Sequence, residues 1–363
     1  MLYTSFQPPV RNWAARTFWH LPGCFGIADL LGPSYKLRCV VFHSISSSET
    51  PFTTGINVRT TPERFEAALE FLTAHYVPVS LDDILADSDG RALPPRAVLV
   101  TFDDAYRSVA ELAAPLCQKH GVPAVFFVNA AFLDNKRLAP DNLVCYVANM
   151  KGMEAINAAA QTVRGAANPV LRSLADVFTR FFPSLSLAER DAFLESLRNL
   201  GEISEGRLAK EASLYVTTEQ LRSLARFNIE IGNHTYTHVH CRVLSQAELR
   251  QEVDRNKQEL EDLSGRKVRS FSQPYGSSKD LTPELVRHLK QSGHEFAFLS
   301  ESSTNPRGAD PFFLDRVNSR VDGDDVFFLD LEILPRLRAV RNQLFRSSGN
   351  LVERIGSPQR DGN

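Results

Sequence analysis

The chain has no excess charge of either sign, no CxxC pair, no long apolar run and no internal repeat. Forty-one Lys and Arg against 43 Asp and Glu leave a formal charge of −2. No overall positive field therefore draws the chain to nucleic acid, and nucleic acid is not expected as a partner. The five cysteines, Cys24, Cys39, Cys117, Cys145 and Cys241, are scattered, and an odd number cannot all pair within one chain. Reduced thiols in a reducing compartment are the simpler reading. No stretch reaches the roughly 18 apolar residues of a membrane span. The apolar residues near the N-terminus are interrupted by Arg11, Arg16, His20, Pro22 and Asp29, which leaves no signal-peptide core. A cytoplasmic protein is the expectation. Trp13, Phe18, Trp19, Leu21 and Phe25 cluster in this N-terminal extension (1–37). They form either a peripheral contact with a membrane or partner, or a flap over the bottom of the domain, the second being preferred.

What is present is an ordinary globular mixture, 43% apolar and 23% charged, which argues against disorder as the general state. Short apolar runs alternate with helical patterns, the signature of βα units and a parallel sheet. "RCVVFHSI" is a strand, and "TPERFEAALEFLTAHY" a helix that Thr61 can cap and Pro62 can start. "RAVLVTFDDA" is a buried strand ending in acid, and "PAVFFVNAAF" another buried strand. Residues 132–215 break the rhythm with helical periodicity and no strand candidate, so they read as a helical insertion whose core holds "VFTRFFPSL". Strands resume with "IEIGNHT", "VRSFSQPYG" and "HEFAFLSE". "DDVFFLDLEILPRLRAVRNQLF" closes the domain as a helix with a kink at Pro335, and 347–363 form a frayed tail. About seven or eight strands result, consistent with a (β/α) barrel or an open doubly wound sheet. In both architectures the chemistry sits at the C-terminal strand ends.

Four strand ends carry usable polar residues: His43, the Asp103–Asp104 pair, His234 with His238, and the turn "SQPYG". Strand alternation would aim adjacent aspartates oppositely, unless the backbone turns at the strand end so that both reach one cavity. Two imidazoles and one carboxylate fill three sites of a divalent cation and leave a position open for water, and a second carboxylate beside them can act as a base. Hydrolysis of an acyl bond is the chemistry this set suits. The bland readings are weaker. An acid pair at a helix N-terminus is common, and paired histidines often only hydrogen-bond in loops. His240 reads as a structural neighbour of the cluster, and His20, His75, His120, His288 and His294 as surface or capping residues. The mixed charges of "RQEVDRNKQELEDL" read as a solvated helix face.

"TFDDA", "HTYTH" and "RSFSQPYG", in this order at strand ends, resemble the first three motifs of the polysaccharide deacetylases with NodB homology, carbohydrate esterase family 4. "VVFHSI" and "FEAALEFL" are similar to the family as well, so the likeness spans roughly 38–320 apart from the insertion. It implies a distorted (β/α) barrel of about seven strands within 38–346. The implied activity is a metal-dependent N-deacetylase that uses zinc, or alternatively cobalt, manganese or nickel, on N-acetylated carbohydrate. Carried over by position, Asp103 is the base, and Asp104, His234 and His238 are the metal ligands. Tyr275 supplies a backbone N–H to the oxyanion between Pro274 and Gly276, and Arg316 matches the fourth motif weakly among the substrate contacts. The chain departs from the pattern at Ala105, where glycine is usual, and at Ser272, where an arginine often orients the base. It also has no Leu-x-His after His294, so His43 becomes the candidate proton donor, with a metal-bound water or the protonated Asp103 as the alternatives. The absence of a signal peptide suggests a glycan, glycolipid or exopolysaccharide intermediate, with a lipid-linked sugar among the candidates. A non-sugar amide hydrolase and a non-catalytic glycan-binding protein are the alternatives.

Overall fold

The computed structural model describes residues 8–340 apart from 32–34, 89–91, 166–168, 304, 307 and 319–321, so the expected tail at 347–363 lies outside the described residues. Six strands lie side by side in chain order, all parallel: β1 (Tyr35–Phe42), β2 (Ala97–Phe102), β3 (Ala124–Val128), β4 (Ile229–Asn233), β5 (Ser270–Ser272) and β6 (Phe296–Phe298). An open doubly wound sheet reverses its strand order at a switch point, and this sheet does not. It curls instead, and residues 314–318 meet both of its edges. Leu314 bridges Phe298 of β6, while β7 (Val317–Asn318) pairs in parallel with Val40 and Val41 of β1. The architecture is the distorted (β/α) barrel of seven strands.

The central strands form because every residue of "AVLVTF" and "AVFFV" is buried. Strands covered on both faces have no polar side to alternate, and each fully buried Val, Leu or Phe contributes about 1.5–3 kcal/mol. Before them come α1 (Pro8–Trp19) and α2 (Cys24–Leu30), and after β1 comes α3 (Pro62–His75). In α3 the Thr61 hydroxyl accepts from the Arg64 N–H and Pro62 occupies the first turn. Within the N-terminal aromatic cluster, Trp19 packs on Phe71 and Phe328 and Phe25 on Phe328, whereas Trp13 is 69% exposed. Arg11 of α1 pairs with buried Asp330, which fastens this segment to the closing helix. A π-helical turn, Leu329–Ile333, immediately precedes Pro335, where the kink was expected.

Between β3 and β4 the chain leaves the barrel for α4 (Pro140–Lys151), α5 (Met153–Arg164), α6 (Leu187–Gly201) and α7 (Glu205–Ala212). Edge-to-face contacts of Phe181 and Phe182 with Phe193 form its core. No helix among the described residues is long and apolar enough to cross a membrane. The cysteines are free, and burial pushes the Cys117 thiol up to about 12, so it behaves as an apolar group.

Two expectations are corrected. His288 and His294 are buried rather than surface residues. His288 Nε2 lies 2.8 Å from Asp254, and His294 Nε2 accepts from the Asn233 amide at 3.2 Å. "RQEVDRNKQELEDL" is not wholly solvated either, since Glu252 and Asn256 point inward. Sequence periodicity marks apolar faces and is blind to polar residues bonded beneath a loop.

Burial lowers the His294 pKa from 6.5 to about 3. The unfolded chain therefore takes up the proton first, and stability that is complete above pH 6.5 falls as pH drops below it, by roughly 3 kcal/mol at pH 4. Asp315, raised by burial to about 6, acts in the opposite direction. Urea midpoints of wild type and His294→Gln between pH 7.5 and 4.5 separate the two. The variant is expected to be less stable at neutral pH and to lose less on acidification, and parallel curves would refute the assignment.

Candidate active site

Asp103 and Asp104 follow the last residue of β2, where alternation ends. Asp104 takes φ 72° and Ala105 φ 56°, so the chain turns left-handed and both carboxylates come near His234 Nε2, Asp103 Oδ2 at 3.9 Å and Asp104 Oδ1 at 3.3 Å. Ala105 thus holds the conformation that glycine would hold without strain. His234 follows β4, and its Nδ1–H donates to the Ser272 carbonyl at 2.8 Å. That bond fixes the tautomer and leaves the Nε2 lone pair facing the aspartates. Asp104 Oδ1 lies 3.3 Å from His234 Nε2 and 3.4 Å from His238 Nε2. One donor atom from each of Asp104, His234 and His238 lies within 4.8 Å of the others. One hard carboxylate and two imidazoles, that of His234 with its tautomer set by Ser272, form a donor set that fits a divalent cation.

The "HTYTH" loop is held from beneath. The Asn129 side chain donates to the His234 and Thr235 carbonyls at 2.5 and 2.9 Å, and Asn256 joins the Val128 carbonyl to Asn233. Glu252 accepts from the Thr237 N–H and hydroxyl at 2.8 and 2.7 Å. Sequence reasoning missed Asn129, Glu252 and Asn256, because nothing in their local spacing announces a partner more than ten residues away. His240 stands apart from the donor set. Its Nδ1 is 3.2 Å from Asp280 and its ring stacks on Tyr275 at 3.9 Å.

Asp103 is 4% exposed. Burial alone would raise its pKa, but the Arg316 guanidinium, His234 and His43 hold it below the ordinary carboxylate value. Arg316 comes from the segment that joins the sheet edges. It donates to both Asp103 oxygens at 2.7 Å, to Ser272 Oγ at 2.7 Å, to Ser300 Oγ at 2.9 Å and to the Leu299 carbonyl at 3.0 Å. Arg316, expected among the substrate contacts, is fully buried behind the carboxylate, beside Ser272.

His43 Nε2 lies 4.0 Å from Asp104 Oδ2. Tyr275 sits between Pro274 and Gly276 with φ 63°. Gly276 is required there, because its φ is 68° and a Cβ would lie 2.5 Å from the Ser300 Cβ. The structure also brings in Asp141, which sequence reasoning did not single out, with Oδ2 2.8 Å from His238 Nδ1 and Oδ1 accepting from the Tyr275 hydroxyl at 2.8 Å. Asp104 is held below the ordinary carboxylate range. Burial opposes this, and His234, His238 and His43 bring it about. The His238 imidazole, which burial would lower, is raised to about 9 by Asp141, Asp104 and Asp103.

Residues 90–297, which include the aspartate pair, both histidines and the Tyr275 turn, match the polysaccharide deacetylase family. The chain is a polysaccharide deacetylase family member. Among solved structures, the deacetylase PplD of Streptococcus pyogenes, in complex with acetate, is 13% identical, with a TM-score of 0.54 over 83% of this chain and 99% of its own. A de-N-acetylase from Aggregatibacter actinomycetemcomitans is 16% identical, with a TM-score of 0.51 over 79% of this chain and 96% of its own. A putative polysaccharide deacetylase from Bacillus anthracis is 14% identical, with a TM-score of 0.51 over 82% and 69%. At such identities the likeness concerns the fold. No curated protein sequence matches the chain.

Replacing Arg316 tests its hold on Asp103. Arg316→Met leaves a buried carboxylate without its guanidinium partner and is expected to cost about 3–5 kcal/mol. Arg316→Lys keeps the charge but loses the planar fork and is expected to cost less in stability while still lowering catalysis. Denaturant midpoints and turnover check both, and a Met variant as stable and active as wild type would exclude the role.

Proposed function

We propose that this deacetylase is a metal-dependent N-deacetylase of N-acetylated sugars in a glycan, glycolipid or exopolysaccharide intermediate, with zinc as the first choice of cation. The observation that carries the reading is the convergence of Asp104, His234 and His238 beside an ionised Asp103 clamped by Arg316. Asp104, His234 and His238 would hold the cation, which when bound supplies polarisation of the acetamide carbonyl and of the attacking water. Asp103 takes the proton from that water as its oxygen bonds to the carbonyl carbon. The Tyr275 N–H, in its turn between Pro274 and Gly276, donates to the oxygen that becomes negative. The C–N bond then breaks, the sugar nitrogen takes a proton and leaves as the amine, and acetate remains. His43, beside Asp104, assists as proton donor or substrate contact.

Acetate release from N-acetylated oligosaccharides tests the reading. Activity is expected to disappear on chelation and to return with zinc or cobalt, and Asp103→Asn is expected to lower kcat by about 10²–10⁴-fold. Turnover indifferent to chelators would end the metal proposal. A His43→Ala enzyme with unchanged kcat/KM would remove that residue from the reaction.

A further inference from the structure

The helical insertion reaches into the site with one carboxylate. Asp141 occupies the first turn of α4, and its two oxygens face different partners, His238 Nδ1 at 2.8 Å and the Tyr275 hydroxyl at 2.8 Å. The His238 contact is close in distance, although the ring N–H is not aimed along it, so the carboxylate stands beside Nδ1 without yet accepting a directed hydrogen bond. Asp141 is not a surface acid that happens to lie near. Its side chain is 17% exposed, and the residue after it is locked in place. Asn142, 1% exposed, donates to the Tyr106 hydroxyl at 2.9 Å and to the Phe52 carbonyl at 3.0 Å, and accepts from the Tyr215 hydroxyl at 2.6 Å. The same Tyr215 hydroxyl accepts from the Ala139 N–H at 2.7 Å. Tyr106 lies two residues beyond Asp104, so the start of α4 is pinned to the loop that carries the aspartate pair.

We propose that Asp141 is a positioning residue for the cation site: it fixes the His238 ring so that Nδ1 faces the insertion and Nε2 faces Asp104. This rests on the reading of Asp104, His234 and His238 as cation ligands. A carboxylate on the far nitrogen of a ligating imidazole sets the ring's tautomer and orientation and increases the basicity of the ligating nitrogen. His234 receives that support from the Ser272 carbonyl. For His238 the partner comes from the insertion, which thereby contributes to the site as well as flanking it. The second bond of Asp141, from Tyr275, ties the same carboxylate to the turn assigned to the oxyanion.

The test measures metal affinity directly. Zinc dissociation constants, from competition with a chromophoric chelator, and the visible absorption of the cobalt-loaded protein are compared for wild type, Asp141→Asn and Asp141→Ala. Both variants are expected to bind zinc about 10–100-fold more weakly, with a shifted cobalt spectrum and an unchanged far-ultraviolet circular dichroism of the metal-free protein. Asp141→Asn keeps the side chain's size, so it decides the matter if the alanine variant folds poorly. Zinc affinities within twofold of wild type and an identical cobalt spectrum would overturn the proposal and leave Asp141 as a fastening of the insertion to Tyr275. A wild-type protein that takes up neither metal would instead overturn the cation-site reading itself, and this inference with it.

Discussion

The buried pair between Arg316 and Asp103 is the interaction on which the rest depends. An ionised carboxylate at 4% exposure faces a desolvation penalty of several kcal/mol, and without a partner it would protonate and cease to be a base. Arg316 offsets the penalty with two parallel N–H donations to the carboxylate, and its three remaining N–H groups are shared among Ser272, Ser300, Thr101 and the Leu299 carbonyl. A guanidinium so fully satisfied has one geometry available, so it orients the carboxylate as well as neutralising it. Its segment, 314–318, is also the one that touches both edges of the curled sheet. Closing the sheet and orienting the Asp103 carboxylate are thus one structural event.

A second constraint is backbone conformation. Asp104, Ala105, Thr235, His238 and Tyr275 all have positive φ, between 56° and 72°. Each costs about 1–2 kcal/mol relative to ordinary backbone and persists only where surrounding contacts determine it. Those contacts are visible as Asn129, Asn256 and Glu252 beneath the histidine loop and as the packing of Gly276 against Ser300. A regular strand end would have sent Asp103 and Asp104 to opposite faces. The left-handed turn at Asp104 lets adjacent carboxylates take different partners, Arg316 for Asp103 and the histidines for Asp104.

How legible this was depended on distance along the chain. Buried runs such as "AVLVTF" and the Thr61-Pro62 start of α3 declare themselves locally, and so do the aspartate pair and the two histidines, because each motif is contiguous. The function of Arg316 was not legible, since its partner is 213 residues away and its donors become meaningful only once the sheet curls. Glu252 and Asn256 were concealed for a related reason. In a helix rich in charge, an inward polar residue cannot be told from an outward one until the loop above it is placed. His294 looked like a helix-end residue and is a buried acceptor, which periodicity cannot distinguish.

The insertion shows how a departure from the barrel rhythm becomes part of the barrel's site. Its exit strand segment returns past the aspartate loop, with the Val216 N–H bonded to the Ala105 carbonyl at 2.9 Å and the Arg107 N–H bonded to the Leu214 carbonyl at 2.8 Å. Its first long helix is fixed to the same loop through Asn142 and Tyr106. Both ends of the excursion therefore hold residues 105–107, immediately after Asp104, so displacement of the helices would be transmitted to the aspartate turn and not absorbed in a flexible linker. Arg190 of α6 adds a third attachment, donating to the Thr237 carbonyl and hydroxyl in the histidine loop. A segment so attached to the aspartate and histidine loops constrains their separation, and that separation sets how closely the Asp104 carboxylate faces the His234 and His238 imidazoles.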